Sequence, residues 1–170
     1  MSSLYEKFLA LLPKQGQILD VGCGSGRDAA FFKQQNYAVT AFDASASLCD
    51  MASDLLQQPV LNMTFDDIHW QNQFAGIWAC ASLLHCPEGS LADVLKKLQA
   101  ALVTGGILYV SFKYGDSTRE KGGRVFTDMN ETKLHQLLEQ HKGLQIIETW
   151  LSGDNRMERS DVWLNCLIRN

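Results

Sequence analysis

The chain has 170 residues, 46% of them apolar and 20% charged, with a formal net charge of −4. That length reads as one domain, large enough to bury roughly two-thirds of its unfolded surface. Acidity without a Lys/Arg cluster argues against a nucleic-acid partner, and no apolar run approaches the roughly 20 residues that cross a membrane.

Met1 to Leu12 reads as a short amphipathic helix carrying Glu6 and Lys7, not as a signal peptide. Gln17 to Val21 is an apolar strand that runs into glycines at alternating positions, Gly22, Gly24 and Gly26. A helix from about Asp28 to Gln35 follows, with Ala29, Ala30, Phe31 and Phe32 as its apolar residues. Glycines placed so let the backbone turn tightly and approach a ligand that a Cβ would block, which points to a nucleotide-like cofactor. Asp20, at the carboxyl end of the strand, can face that ligand as an acceptor.

The alternation continues. Ala38 to Asp43 reads as a strand, and Ser45 caps a helix reaching about Gln57, closed by Pro59. Val60 to Met63 is a short strand, Gln71 to Gln73 a turn, and Gly76 to Cys80 a strand. Ser90 opens a helix to Ala101 whose apolar face is Leu91, Val94, Leu95 and Leu98. Thr104-Gly105-Gly106 turns into a strand from Ile107 to Phe112, and the polar stretch Lys113 to Gly123 reads as a loop. A helix from about Glu131 to His141 precedes two strands, Leu144 to Trp150 and Val162 to Ile168. Alternating strands and helices predict a parallel sheet covered on both faces, with ligands at the carboxyl ends of its strands. No helix separates the last two strands, so the final strand is expected to run antiparallel.

Five cysteines, Cys23, Cys49, Cys80, Cys86 and Cys166, form an odd set without framework spacing. That usage suits free thiols in a reducing, cytoplasmic compartment. Cys80 and Cys86 beside His85 lack the further ligands of a metal site, so no metal is expected.

These motifs, in this order, resemble those of the class I S-adenosylmethionine-dependent methyltransferases over nearly the whole chain. ILDVGCGSGRD (from Ile18) looks like the family's first motif and AFDAS (Ala41 to Ser45) like its second. MTFDDI (Met63 to Ile68) looks like the third, FAGIWACASLLHCP (Phe74 to Pro87) like the fourth, and LVTGGILYVSFK (Leu102 to Lys113) like the turn into strand five. WACASLLH, SFKYG and the tail WLSGDNR…WLN further resemble a small bacterial group labelled tellurite-resistance-related methyltransferases.

The resemblance implies a single domain over residues 1–170, a Rossmann-like three-layer α/β/α sandwich with a seven-stranded, mostly parallel sheet and an antiparallel strand seven. It implies S-adenosylmethionine as cofactor and S-adenosylhomocysteine as product; the chain's acidity and the lack of a recognition domain favour a small-molecule acceptor. The protein would be a monomer or homodimer with no nucleic-acid or membrane partner. Gly22, Cys23 and Gly24 would pass under the amino-acid end of the cofactor, with Asp20 accepting from its ammonium and Arg27 bordering the site. Asp43, followed by Ala44, would take both ribose hydroxyls. Asp66 or Asp67 would accept from the adenine amino group, with Phe65 or Ile68 against the ring, and Cys80 or Ala81 would sit near the methionine end.

On the acceptor side, His85 is the candidate base, and the competing reading is a histidine satisfied in the turn before Pro87. Lys113, Arg124 and Arg156 are candidates for substrate binding, in loops that would suit an anion. Arg119 and Arg159 lie in the same loops, and the competing reading of each arginine is a solvated loop residue. Only about 16 residues precede the first strand. Many relatives carry an extra helix or two there, so a more open site, a lid from a partner subunit or a truncated chain is expected. Two rivals remain. A nicotinamide-dependent oxidoreductase would show GxGxxG where this chain has GCGSG. A non-catalytic cofactor-binding domain would share the glycine loop and Asp43.

Overall fold

The computed structural model describes residues 2–153 and 161–170. Its elements run α1 (Ser2–Leu9), β1 (Gln17–Val21), α2 (Arg27–Gln34), β2 (Ala38–Asp43), α3 (Ala46–Leu56), β3 (Leu61–Asn62) and β4 (Phe74–Ala79). They continue α4 (Leu91–Ala101), β5 (Leu102–Lys113), β6 (Thr118–Lys121), β7 (Arg124–Thr127), α5 (Glu131–Glu139), β8 (Gln145–Gly153) and β9 (Val162–Arg169). Seven strands form one sheet in the order β3-β2-β1-β4-β5-β9-β8. The pairs from β3 through β5 are parallel, while β9 is antiparallel to both β5 and β8. The reversed last strand expected from the missing helix is therefore present.

Side chains that alternate along each strand separate into two cores. Ile18, Trp78, Ile107, Tyr109 and Leu167 pack with Tyr5 and Phe8 of α1 and Phe32 of α2. Leu19, Ile77, Leu108, Val110 and Ile168 face the other way, onto Leu91, Leu95 and Leu98 of α4 and Leu134 and Leu138 of α5. The result is three layers with the sheet in the middle. Gly76 is what lets α1 lie close. A Cβ there would come 2.7 Å from Leu12 Cδ1 and Phe8 Cζ. Trp78 stacks on Tyr109 at 3.9 Å between ring centroids, in the middle of this face.

Beyond shifts of a few residues at the ends of other elements, three differences from expectation stand out. β5 begins at Leu102, and the Gly105 turn is an excursion within it. The register on β4 jumps from Phe74↔Leu102 to Gly76↔Ile107. Asn170 holds the excursion, its carbonyl accepting from Gly105 N at 2.7 Å. β3 shortens to two edge residues. The expected loop from Lys113 to Gly123 contains a strand, because β6 and β7 pair antiparallel around Gly122-Gly123. Both glycines have positive φ, +59° and +72°, the conformation a tight hairpin turn requires. The β6 residues are exposed, so the apolar alternation that marks a strand was missing.

Candidate functional site

The carboxyl ends of β1, β2 and β4 open onto two neighbouring cavities that share Gly22 and Gly24. The smaller, about 250 Å³, is walled by Asp20, Cys23, Ser25, Arg27, Asp28 and Cys80. The larger, about 630 Å³, is lined by Asp43, Ala44, Ser45 and Leu48, by Met63, Thr64 and Phe65, and by Ala81, Ser82, His85, Gly123, Arg124 and Val125.

The glycine loop is held from both sides. Asp43 Oδ2 accepts from Gly24 N and Oδ1 from Ser45 N, each at 2.9 Å. One carboxylate thus joins the loop after β1 to the start of α3, and each oxygen, with one bond made, keeps further acceptor capacity on a residue that lines the larger cavity. Gly24 adopts φ +57°, and a Cβ built on it would meet nothing within 4 Å, so its open side belongs to the cavity. At Gly22, with φ +68°, a Cβ would lie 2.6 Å from Ser82 Cβ, so only glycine lets the loop approach β4's end.

Asp20 is buried, and its Oδ2 has no hydrogen-bond partner. Burial, and then the neighbouring Asp28 carboxylate, push its pKa well above the usual carboxylate range. Asp28 itself is fully engaged. Its Oδ1 accepts from Tyr5 Oη at 2.7 Å and Arg27 Nε at 2.6 Å, and its Oδ2 from Trp78 Nε1 at 2.8 Å. Arg27 leaves most of its guanidinium side chain exposed at the rim. A buried carboxylate with an idle oxygen at the floor of a glycine-lined cavity is arranged to receive a cation.

At the end of β4 the chain turns through Ala81 with φ +52°, uncommon for a residue with a Cβ. Ser111 Oγ on β5 accepts from Ala81 N at 2.8 Å and holds the turn. Ser82 Oγ is buried without a partner on the cavity wall. His85 is half-buried, and its Nδ1 lies 3.0 Å from the carbonyl oxygen of Val125 on β7. Phe126 meets the imidazole edge-on at 4.9 Å.

Some expected residues are elsewhere. Asp66 and Asp67 do not wall either cavity. Asp67 Oδ2 accepts from both the backbone N and Oγ1 of Thr64, each at 2.8 Å, closing a capping box that turns the carboxylate back onto its own helix. Those bonds hold its pKa below the usual carboxylate range. Asp66 is exposed beside Lys97 at 3.8 Å. The wall residues of this segment are Met63, Thr64 and Phe65, while Ile68 is packed in the core. Lys113 does not reach the cavities, since its Nζ pairs with Asp161 at 2.8 Å. Arg119 is ion-paired with Asp128 and also stands away from them. Arg124 does line the larger cavity, with no ion-pair partner among the described residues. Arg156 and Arg159 lie outside the described residues. Sequence reading also missed Thr64, Ser82 and the hairpin. A Thr three residues before Asp67 was the available signal for the first, and Gly-Gly between polar strands for the last.

All five cysteines are free. Among the described residues no group of three His, Cys, Asp or Glu side chains could hold a metal ion, and no helix is long and apolar enough to cross a membrane.

A family model described as a methyltransferase domain matches residues 18–106, more than half of the chain. No curated protein matches the sequence significantly. Solved structures share the fold. One is a Burkholderia thailandensis 1,6-didemethyltoxoflavin-N1-methyltransferase with bound 1,6-didemethyltoxoflavin and S-adenosylhomocysteine (TM-score 0.81, 21% identity, 99% of this chain and 76% of that one). A second is a Methanosarcina mazei S-adenosylmethionine-dependent methyltransferase (TM-score 0.82, 15% identity, 98% and 97%). A third is the magnesium protoporphyrin IX methyltransferase of Synechocystis with bound S-adenosylmethionine (TM-score 0.75, 17% identity, 99% and 77%).

Proposed function

Because this chain belongs to the methyltransferase-domain family, we propose that it binds S-adenosylmethionine across the two cavities and methylates a small molecule. The observation that carries the reading is the unpartnered, buried Oδ2 of Asp20 beside the glycine loop. A cationic ammonium satisfies it, and nicotinamide dinucleotides offer no such group at their phosphates. The residues fit the cofactor from end to end. Asp20 takes the ammonium, directly or through water, and the exposed Arg27 guanidinium stands where a carboxylate would enter. Cys23 and Cys80 close the smaller cavity around the methionine end. Asp43 receives the ribose hydroxyls on its remaining lone pairs, with Ala44 and Ser45 beside it. Phe65 meets the adenine ring. Thr64 Oγ1 donates to Asp67 and accepts from its backbone N–H in the capping box, which leaves one lone pair for the adenine amino group, so Asp67 acts by orienting Thr64.

The bound cofactor supplies a methyl group on a sulfonium, whose leaving group is a neutral thioether. The protein's work is then alignment of the acceptor and exclusion of water, at separations of about 3 to 3.5 Å between reacting atoms. The similar structures name didemethyltoxoflavin and magnesium protoporphyrin as small molecules handled on this fold. Together with the net negative charge of the chain they support a small-molecule acceptor here. The resemblance to the tellurite-resistance-related group adds chalcogen oxyanions to the acceptors worth assaying.

Calorimetry tests the reading. S-adenosylmethionine and S-adenosylhomocysteine should bind, NADH should not, and Asp43→Asn should weaken both sulfur ligands. Binding of NADH, or no binding of either sulfur ligand by folded protein, would reject it. Binding without turnover of any acceptor would favour a non-catalytic cofactor-binding domain.

A further inference from the structure

The β6–β7 hairpin does more than fill a connection. Its base is tied down at several points. Thr127 Oγ1 donates to Cys86 O at 2.9 Å, Thr118 Oγ1 to Glu88 Oε2 at 3.1 Å, and Arg119 pairs with Asp128. Its tip carries Gly123 and Arg124 to the larger cavity. Between base and tip lies Val125, whose carbonyl faces His85 Nδ1. A carbonyl oxygen only accepts, so Nδ1 carries the proton. In the neutral ring Nε2 is then the nitrogen with the lone pair. Phe126 against the ring restrains its rotation. His85 and Arg124 thus line the same cavity, and Val125, next to Arg124 in the chain, touches His85; one is a base of defined tautomer and the other a cation without a carboxylate partner among the described residues.

We propose that this hairpin builds the acceptor half of the site. The acceptor is a small molecule bearing an ionisable O–H or N–H and, near it, an anionic group. Resting on the methyltransferase reading above, the proposal adds the substrate's chemical class and the residues that select it. Arg124 holds the anion through charge-assisted hydrogen bonds. His85 Nε2 removes the proton as the acceptor heteroatom forms its bond to the methyl carbon. The carbon–sulfur bond breaks with its electron pair moving to sulfur, and the imidazolium later loses the proton to solvent. No oxidant, reductant or metal enters the balance.

The test uses protein saturated with S-adenosylhomocysteine, whose own binding is first established by calorimetry. Matched probes are titrated into it: 4-hydroxybenzoate against 4-hydroxybenzamide, and imidazole-4-carboxylate against imidazole-4-carboxamide. At least one carboxylate should bind about tenfold or more tightly than its amide, the scale of one charge-assisted hydrogen bond, and Arg124→Met should erase the difference. Nitrogen-15 spectra of the neutral His85 ring should show the proton on Nδ1, and truncating the contact by deleting 118–127 should release that preference. Potassium tellurite with S-adenosylmethionine is the control arm, since a chalcogen lone pair needs no base. Carboxylates bound no better than amides, a proton on Nε2, or tellurite methylation lost in His85→Gln would each overturn the proposal. Failure of S-adenosylhomocysteine to bind would instead reject the methyltransferase reading and the proposal with it.

Discussion

Asp28 is the joint between the amino-terminal helix and the smaller cavity, and removing it is the most direct test of the packing argument. Two of its donors are buried, the Tyr5 hydroxyl at 2.7 Å and the Trp78 indole at 2.8 Å, and the third is the exposed Arg27. Asp28→Ala leaves both buried donors without an acceptor. At about 1–3 kcal/mol per stranded group, the loss is roughly 2–6 kcal/mol, a large part of the ~5–15 kcal/mol that holds a domain folded. Asp28→Asn is milder. Its amide oxygen can serve Trp78 while its NH2 donates to Tyr5 Oη, so about 1–3 kcal/mol is expected from lost charge assistance. Tyr5→Phe removes one bond and strands nothing, which predicts about 1 kcal/mol. Urea unfolding followed by far-ultraviolet circular dichroism orders the three variants. Asp28→Ala within about 0.5 kcal/mol of wild type, or Tyr5→Phe as damaging as Asp28→Ala, would refute the reasoning, because surface-like changes fall in that range.

Further outcomes follow from the same geometry. Asp20 has a folded pKa raised above its unfolded value of 3.8, so the native state holds its proton more tightly and the stability this contributes is lost as pH rises through the folded value. Thermal unfolding of ligand-free protein should therefore show this loss against an Asp20→Asn control as pH rises from about 4. The same pH dependence of unfolding temperature in wild type and Asp20→Asn would contradict it. Gly22→Ala puts a Cβ 2.6 Å from Ser82 Cβ at φ +68°. It should weaken S-adenosylhomocysteine binding at least about tenfold, with a left-handed backbone penalty of about 1–2 kcal/mol in stability; unchanged affinity would show that the loop does not contact the ligand. Burial pushes the Cys80 thiol up to about 12 and those of Cys86 and Cys166 to about 11. Brief iodoacetamide treatment at pH 8 should spare these three in folded protein and modify them in urea, as peptide mass mapping would report.

What could be read from the chain alone was whatever depends on neighbours in sequence. The period-two strands, the glycines after Val21 and the missing helix between the last two strands dictated a mostly parallel sheet with a reversed final strand. Its ligand end had to lie at Asp20, Gly22, Gly24 and Asp43, and the cavities are found there. The short Thr64 to Asp67 segment shows where that reading stops. Either aspartate was chemically able to face a ligand, yet the capping box turns Asp67 onto Thr64 and Lys97 draws Asp66 outward. A local hydrogen bond competes with a distant ligand, and composition does not reveal which wins. The β6–β7 hairpin is the larger case. Its strands bury little of their own, so no apolar alternation announces them. Their place over His85 depends on contacts with Cys86 and Glu88, some thirty to forty positions away in sequence. Only folding brings Val125 to His85 and Arg124 to the cavity, because side-chain direction and long-range pairing, unlike periodicity, are properties of the packed chain.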